Sequence, residues 1–132
     1  MEADIEILRL EIIKHGKIEL RSDEILTFRP DIATFKDYDL QVFKDLLEVF
    51  LDVTKGTPRP YLCDNTYVTG IVDKEALTFM NDHFDRFATK AAMITKSPIT
   101  RVIVNGYNSV FKPKVKFKLF TSEEKAVKWL LK

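Results

Sequence analysis

The hydrophobic and polar positions of residues 90–132 predict two successive strand–helix units. Ala91–Thr95 is a short, largely apolar run of the length expected for a buried strand. Ser97 and Pro98 follow as a capping hydroxyl and a residue suited to the first helical position, which predicts a helix over Ser97–Phe111. The apolar face of this helix repeats at three- and four-residue spacing: Ile99, Val102, Ile103, Gly106, Tyr107 and Val110.

Beyond Pro113 the apolar period changes to every second residue, with lysines between, which predicts a strand over Val115–Leu119. The segment Thr121-Ser-Glu-Glu124 has the pattern of a capping box and predicts the start of a closing helix. The buried side of that helix is formed by Ala126, Val127, Trp129, Leu130 and Leu131. Two such units in tandem predict parallel strands.

The N-terminal residues 4–30 have the pattern of an antiparallel meander. In residues 4–14 the apolar positions scatter around a helical axis but alternate as a strand, with a phase slip at Ile7-Leu8 that a bulge would absorb. This pattern favours a strand over residues 4–14, and a helix remains the alternative. His15-Gly16 offers a tight turn, and Lys17–Arg21 and Ile25–Arg29 are two further short strands.

The middle of the chain alternates helices with a strand. A long helix is predicted from about Asp39 to Lys55, with a narrow polar arc and Gly56 as its stop. A strand at Tyr61–Cys63 ends at Asp64 and Asn65, and Asp73 caps a helix that runs to about Thr89. The sequence therefore predicts a single α/β domain over residues 1–132, with a mostly parallel sheet, antiparallel N-terminal strands and helices packed on the sheet.

Composition limits the classes of function. The 132 residues carry a net charge of +1, so no overall basic footprint for nucleic acid is present. No apolar stretch has the length of a membrane span, and the acidic start differs from a secretory signal, so no membrane insertion is expected. The lone cysteine, Cys63, suits a reducing compartment. A cytoplasmic location is the resulting expectation.

At this level the chain resembles STAS-like (SpoIIAA-like) domains, the fold of bacterial anti-sigma-factor antagonists, and most closely the uncharacterised bacterial proteins of that fold. The resemblance covers residues 61–131. It is carried by the strand ending in Asp64, the entry into a helix at Asp73, and the segments Ala91-Ala-Met-Ile-Thr-Lys-Ser-Pro98 and Lys112-Pro to Phe120-Thr-Ser-Glu-Glu124. These patterns indicate a fold more specifically than an activity.

The resemblance implies a regulatory or protein-interaction module rather than an enzyme. In the antagonists, a serine that follows an aspartate at the start of the second helix is phosphorylated and controls partner binding. The matching positions are Asp73 and Lys74, so the phosphorylatable serine is missing here. The implied contact surface comprises Asp64, Asp73, Lys74 and Phe79, with Phe79 as an anchor for a protein partner or for a second copy of the chain.

An alternative is a small-ligand binder. In an open α/β sheet, ligands favour the carboxyl ends of the strands. An anion could meet helix N-termini there at Ser97 and Thr121, or these hydroxyls could simply cap their helices. The candidate rim residues are Asn65, Lys96, Ser97, Arg101, Asn105 and Thr121. STAS-like folds also resemble the lipid-carrying CRAL-TRIO domains, which would place a hydrophobic ligand among the aromatic residues.

The remaining candidates favour structural roles. Asp64 at a strand end is more simply explained by hydrogen bonds to the following loop than by acid–base catalysis. Cys63 has no neighbouring histidine in the sequence, and its apolar strand suggests a buried thiol. No metal-ligand spacing and no cofactor motif is present. The lysine row, which suggests edge protection more strongly than docking of an acidic partner, comprises Lys112, Lys114, Lys116 and Lys118.

Overall fold

The chain folds around one six-stranded mixed sheet. The computed structural model describes residues 4–68, 72–98, 101–102, 105–106 and 115–132. The strands are β1 (Ile7–Ile13), β2 (Gly16–Arg21), β3 (Leu26–Pro30), β4 (Arg59–Asp64), β5 (Ala88–Ile94) and β6 (Lys116–Phe120). The helices that the structure describes from end to end are α1 (Leu40–Thr54), α2 (Lys74–His83) and α3 (Glu123–Leu130). Spatial order follows chain order, β1–β2–β3 being antiparallel and β3–β4–β5–β6 parallel. The predicted fold class is confirmed.

The N-terminal meander begins with a strand, which settles the choice left open for residues 4–14. Its ladder to β2 shifts register between Ile7 and Arg9, where the apolar phase slips. Gly16 follows the turn with φ +148°, and a Cβ atom there would lie 2.2 Å from the backbone oxygen of Arg29. Glycine is therefore required at this position on both conformational and steric grounds.

The parallel half of the sheet is covered on both faces. One face packs under α1 and α2, and its core includes the fully buried aromatic side chains of Phe28, Phe50 and Phe87. The other face packs under α3, where Leu62 and Ala92 meet Ala126 and Leu130. Such two-sided burial explains why β4 and β5 read as continuous apolar runs rather than as alternating ones.

Helix α1 starts and stops where its sequence predicts. The Asp39 carboxylate accepts a hydrogen bond from the backbone N–H of Val42 at 2.8 Å, which caps the first turn. At the other end Lys55 adopts a left-handed conformation, and the N–H of Gly56 donates to the carbonyl of Leu51 at 3.1 Å. The left-handed residue is thus Lys55 as well as the predicted stop, Gly56.

Two predicted element boundaries were wrong. Helix α2 ends at His83 and a 3-10 turn follows over Phe84–Arg86, so the helix does not reach Thr89. The backbone from Phe87 onward is taken by the sheet, because Arg59 N–H donates to the Phe87 carbonyl at 2.9 Å.

The second boundary concerns the closing helix. The cap of α3 is Ser122, whose hydroxyl accepts from the N–H of Lys125 at 3.2 Å, and not Thr121. The Phe120 carbonyl accepts from Thr95 N–H at 3.0 Å, which keeps the chain in strand geometry through Phe120 and delays the helix start.

The predicted helix Ser97–Phe111 lies largely outside the described residues. Of its described residues, Ser97 precedes the helix, and five are helical: Pro98, Arg101, Val102, Asn105 and Gly106.

The two outer strands of the described sheet differ in character. β6 alternates as predicted, with Phe117 and Leu119 half-buried and the lysines at positions 116 and 118 exposed. Lys112 and Lys114 lie outside the described residues. β6 is an outer strand, so its lysines stand where positive charge discourages association between sheets.

No helix formed by the described residues combines the length and apolarity needed to cross a membrane.

The Gly16 contact gives a stability prediction. Replacing Gly16 with Ala is expected to lower the free energy of unfolding by about 3 kcal/mol, because the new methyl group meets backbone atoms that cannot rotate away. The matched variant is Gly56→Ala, at a position with φ +76° and nothing within 4 Å of the added atom. It should cost only about 1 kcal/mol. Guanidinium denaturation measures both values, and equal losses would contradict the steric explanation.

Candidate functional site

The carboxyl ends of the central parallel strands meet at one edge, as the rim prediction requires. Asn65 N–H donates to the carbonyl of Ile94 at 2.9 Å, and Thr95 N–H donates to that of Phe120 at 3.0 Å. These bonds align the ends of β4, β5 and β6. Of the predicted rim residues that follow them, Lys96 and Thr121 are exposed and Ser97 is half-buried. Arg101 and Asn105 are exposed on the helical segment that follows.

A charge cluster occupies the rim near β3 and β4. The guanidinium of Arg29, at the end of β3, lies 2.9 Å from Asp64, 2.7 Å from Glu123 and 3.1 Å from Glu19. Burial lowers the pKa of Arg29, but hydrogen bonds and charge from Glu123 and Glu19 outweigh it and raise the pKa above its usual value. Arg29 thus ties two strands to the start of α3.

Asp64 belongs to this cluster and also holds the loop that follows it. Its Oδ1 atom accepts hydrogen bonds from the backbone N–H of Thr66 at 3.2 Å and from the Thr66 hydroxyl at 2.5 Å. This is the structural role that the sequence suggested for Asp64. With one oxygen on Arg29 and the other on Thr66, the carboxylate is committed to the fold.

Asn65 lies inside the protein rather than on the open rim. It is 3% exposed, and its Oδ1 atom accepts from the Tyr38 hydroxyl at 2.5 Å. Its amide nitrogen lies 3.3 Å from the sulfur of Met93. Tyr38, just before α1, thereby connects that helix to the end of β4. The rim residue proposed from the sequence is in fact a buried hydrogen-bonding partner.

Cys63 completes this buried cluster. Its sulfur lies 3.2 Å from the Tyr38 hydroxyl and 3.4 Å from the Asn65 Oδ1 atom. Burial raises the pKa of the thiol to about 11, although the hydrogen bond with Tyr38 acts in the opposite direction. At neutral pH the sulfur is therefore a protonated thiol, which is a poor nucleophile.

Three of the four residues that the family resemblance implied for partner binding line one groove. Asp73 caps α2 by accepting from Glu75 N–H at 3.2 Å, and Lys74 is the first residue of that helix. Phe79 lies one and a half turns further on. The groove has a volume of about 630 Å³ between α1 and α2, and its lining consists of Leu40, Lys44, Asp73, Lys74, Glu75, Thr78, Phe79 and Asp82. The fourth residue, Asp64, lies in the Arg29 cluster instead.

The groove is assembled by contacts between the segments that precede the two helices. Tyr38 forms a parallel bridge with Val72, and Asp73 N–H donates to the Tyr38 carbonyl at 3.2 Å. The start of α1 and the start of α2 are thereby fixed side by side. Phe79 is half-buried against the core, and its ring centroid lies 4.4 Å from that of His83. The groove therefore combines a partly exposed aromatic side chain with charges of both signs.

A second groove was not anticipated from the sequence. It has a volume of about 720 Å³ and lies between the β1–β2 turn, the loop after β3 and the start of α1. The Nε2 atom of His15 at its wall lies 2.8 Å from the Asp45 carboxylate. The hydrogen bond from His15 lowers the pKa of Asp45. Only the side-by-side placement of residues 30 positions apart reveals the pair, so no local signal could have found it.

The described residues give little support to metal or apolar-ligand binding. Within them, no group of three or more histidine, cysteine, aspartate or glutamate side chains is arranged to hold a metal ion. The aromatic side chains considered for a hydrophobic ligand contact one another, as in the ring pairs Phe50–Phe87 at 4.8 Å and Phe84–Phe87 at 5.3 Å. This is the packing of a filled core.

The raised pKa of Cys63 predicts a pH dependence of stability. The thiol ionises near pH 9 when unfolded and near pH 11 when folded, so the unfolded state loses its proton first as the pH rises. The stability that the buried thiol contributes is present below pH 9 and is lost as the pH approaches 11. Between pH 8 and pH 10 the wild type should lose about 1 kcal/mol more than Cys63→Ser, whose hydroxyl does not titrate.

Urea denaturation at a series of pH values measures this difference, and groups common to both proteins cancel. As an independent readout, the native thiol should react with a disulfide reagent at pH 8 far more slowly than the unfolded one. Parallel stability profiles for the two proteins, or rapid native reaction, would contradict the burial assigned to Cys63.

Comparisons with known proteins support the fold. An uncharacterised protein of the DUF3478 family from Shewanella loihica PV-4, described as having a SpoIIAA-like fold, is 16% identical and matches with a TM-score of 0.56 over 98% of each chain. The predicted SpoIIAA-like fold is therefore confirmed. No curated protein matches the chain. The domain of unknown function DUF7793 matches residues 18–132, so the chain belongs to the DUF7793 family.

Proposed function

We propose that the chain is a non-enzymatic protein-interaction module that binds its partner in the groove between α1 and α2. The observation that carries this proposal is the meeting of Asp73, Lys74 and Phe79 in one groove. They are also three of the residues that the family resemblance implies for partner binding. A half-buried aromatic side chain flanked by charges is typical of an interface anchor with a polar rim.

The charges of the groove favour a partner with a specific chemistry. Lys44 and Lys74 are exposed, and Lys74 sits at the N-terminus of α2, the positive end of the helix dipole. The groove is also lined by three exposed carboxylates, those of Asp73, Glu75 and Asp82. A partner segment with an apolar side chain for Phe79, a carboxylate for the lysines and a basic side chain for these acids would match the groove. We therefore propose a protein segment of that composition as the ligand.

The residue at the start of α2 also bears on regulation. Phosphorylation of a serine there would add about two negative charges, whereas Lys74 supplies a permanent positive charge. The proposed module accordingly binds without the phosphoserine switch of antagonist-type STAS domains. Its occupancy would instead follow the concentration of the partner.

The choice of an interaction module over an enzyme follows from the commitments of the reactive groups. Asp64 is shared between Arg29 and Thr66, and the Cys63 thiol is buried and protonated. The Asn65 side chain is buried and accepts a hydrogen bond from the Tyr38 hydroxyl. These three groups at the end of β4 are thus engaged in holding the fold.

A photo-crosslinking amino acid at Thr78, an exposed groove residue, tests the proposal in source cells. We expect a discrete crosslinked protein, and we expect Lys74→Glu or Phe79→Ala in the same chain to reduce its yield at least tenfold. The matched control carries the crosslinker at Thr57, which is exposed beyond the opposite end of α1. It should give no such product.

The crosslinked protein should then bind the purified chain, with an affinity that falls as salt rises because the lysines are exposed. Thermal melting of each variant establishes that its fold is intact. Identical crosslinking from Thr78 and Thr57, or a Thr78 product that survives both substitutions, would contradict binding in the groove.

A further inference from the structure

The two outer strands of the described sheet, β1 and β6, expose side chains of different character. β6 exposes lysines, which discourage pairing with another sheet. β1 instead presents apolar side chains that are 45 to 72% exposed: Ile7, Leu8, Leu10 and Ile12. None of the described strands pairs with the outer side of β1. An outer strand with this composition lacks the usual protection against pairing.

On the outer edge of β1, the backbone N–H and C=O groups of every second residue are available to bond with a further strand. The two-residue turn Lys14-His15 makes Ile13 and Gly16 a hydrogen-bonded pair. Bonding to β2 then recurs at Glu11 and Arg9. The N–H and C=O groups of the residues between them, Leu10 and Ile12, therefore point away from β2 and toward a further strand.

We propose that the chain forms a two-fold symmetric homodimer in which β1 pairs antiparallel with β1 of a second copy, joining the two sheets. Leu10 lies opposite Leu10 of the second copy at the two-fold axis. Ile12 comes beside Leu8, which lies at the register shift of β1, on either side of the axis. This arrangement pairs the outward N–H and C=O groups of the two Leu10 residues and covers apolar side chains with one another.

Charge complementarity selects this register. Outward residues must face outward residues, so the pairing can shift only in steps that move the two-fold axis to a neighbouring residue, Arg9 or Glu11. An axis at Arg9 would place two arginines opposite each other, and an axis at Glu11 would place two glutamates opposite each other. With the axis at Leu10, Arg9 of each copy faces Glu11 of the other, and like charges are not opposed.

Arg9 and Glu11 already form contacts within the chain and are also accessible to a second copy. The Arg9 guanidinium lies 2.9 Å from Glu11 of its own strand and also contacts Asp52 of α1 at 2.5 Å. Both side chains are more than a third exposed. They can therefore gain a cross-strand partner without leaving their present positions. None of the residues lining the α1–α2 groove belongs to β1, so the two proposals are independent.

Sedimentation velocity of the full chain over a range of concentrations tests the dimer. We expect a reversible monomer–dimer equilibrium for the wild type. Leu10→Lys should raise its dissociation constant at least tenfold, because two lysines would meet at the axis. The matched control is Ile32→Lys, at a residue that is 76% exposed in a loop, and it should leave the equilibrium unchanged.

A charge exchange tests the register. Arg9→Glu and Glu11→Arg should each weaken dimerisation, because each places like charges opposite each other, and the double variant should restore it. Leu10→Cys in a Cys63→Ala background should form an intermolecular disulfide on mild oxidation, whereas Lys118→Cys on β6 should not. Thermal melting of each variant under monomeric conditions separates loss of the dimer from loss of the fold.

A wild type that stays monomeric up to the highest soluble concentration would overturn the proposal. So would a dimer that Leu10→Lys leaves intact. A double charge variant that remains as weak as either single variant while folding normally would refute the register, and with it the pairing proposed here.

Discussion

Burial of both faces of the two central strands is the constraint on which the rest of this structure depends. In β4 and β5, Tyr61 and Ala91 face the layer of α1 and α2, and Leu62 and Ala92 face α3. Each fully buried large apolar side chain contributes about 1.5–3 kcal/mol. Because Ala92 is small, α3 can approach β5 closely, whereas α1 and α2 lie further from this strand. The long aromatic residues of the first layer fill the remaining space, as the contacts among Phe28, Phe50 and Phe87 show.

This two-sided burial also accounts for the behaviour of the strand ends. A polar group at the end of a strand that is covered on both faces must find a partner inside the protein, because water has little access to it. Asn65 and Thr95 are 3% and 1% exposed, and they bond to Tyr38 and to Ser97 N–H respectively. Nearby, Arg29 neutralises the carboxylates that approach from three elements. An edge that often holds a ligand in open α/β sheets is here largely used for stability.

The two proposed binding surfaces therefore lie away from the strand ends, in the α1–α2 groove and at the outer edge of β1. The α1–α2 groove exists because Tyr38 and Val72 fix the two helix starts side by side, leaving Phe79 half-buried between charged neighbours. The outer edge of β1 is exposed because α1 lies over one face of the meander, which it contacts through Arg9–Asp52 and His15–Asp45 among other pairs. One surface fits a partner of different sequence, and the other fits a second copy of the chain. Because they share no residue, the two contacts can be made at the same time.

The sequence by itself determined the order and type of the elements. Period-two and period-3.6 patterns, together with local caps such as Asp73, act within a few residues and can be read directly. It erred where non-local bonds prevailed, at the end of α2, where the sheet takes the backbone from Phe87, and at Thr121, where β6 delays the helix. Tertiary structure alone decided that Asn65 turns inward, that Arg29 gathers Glu19, Asp64 and Glu123, and that His15 meets Asp45. These contacts join residues far apart in the chain, and only the packing of the layers brings them within bonding distance.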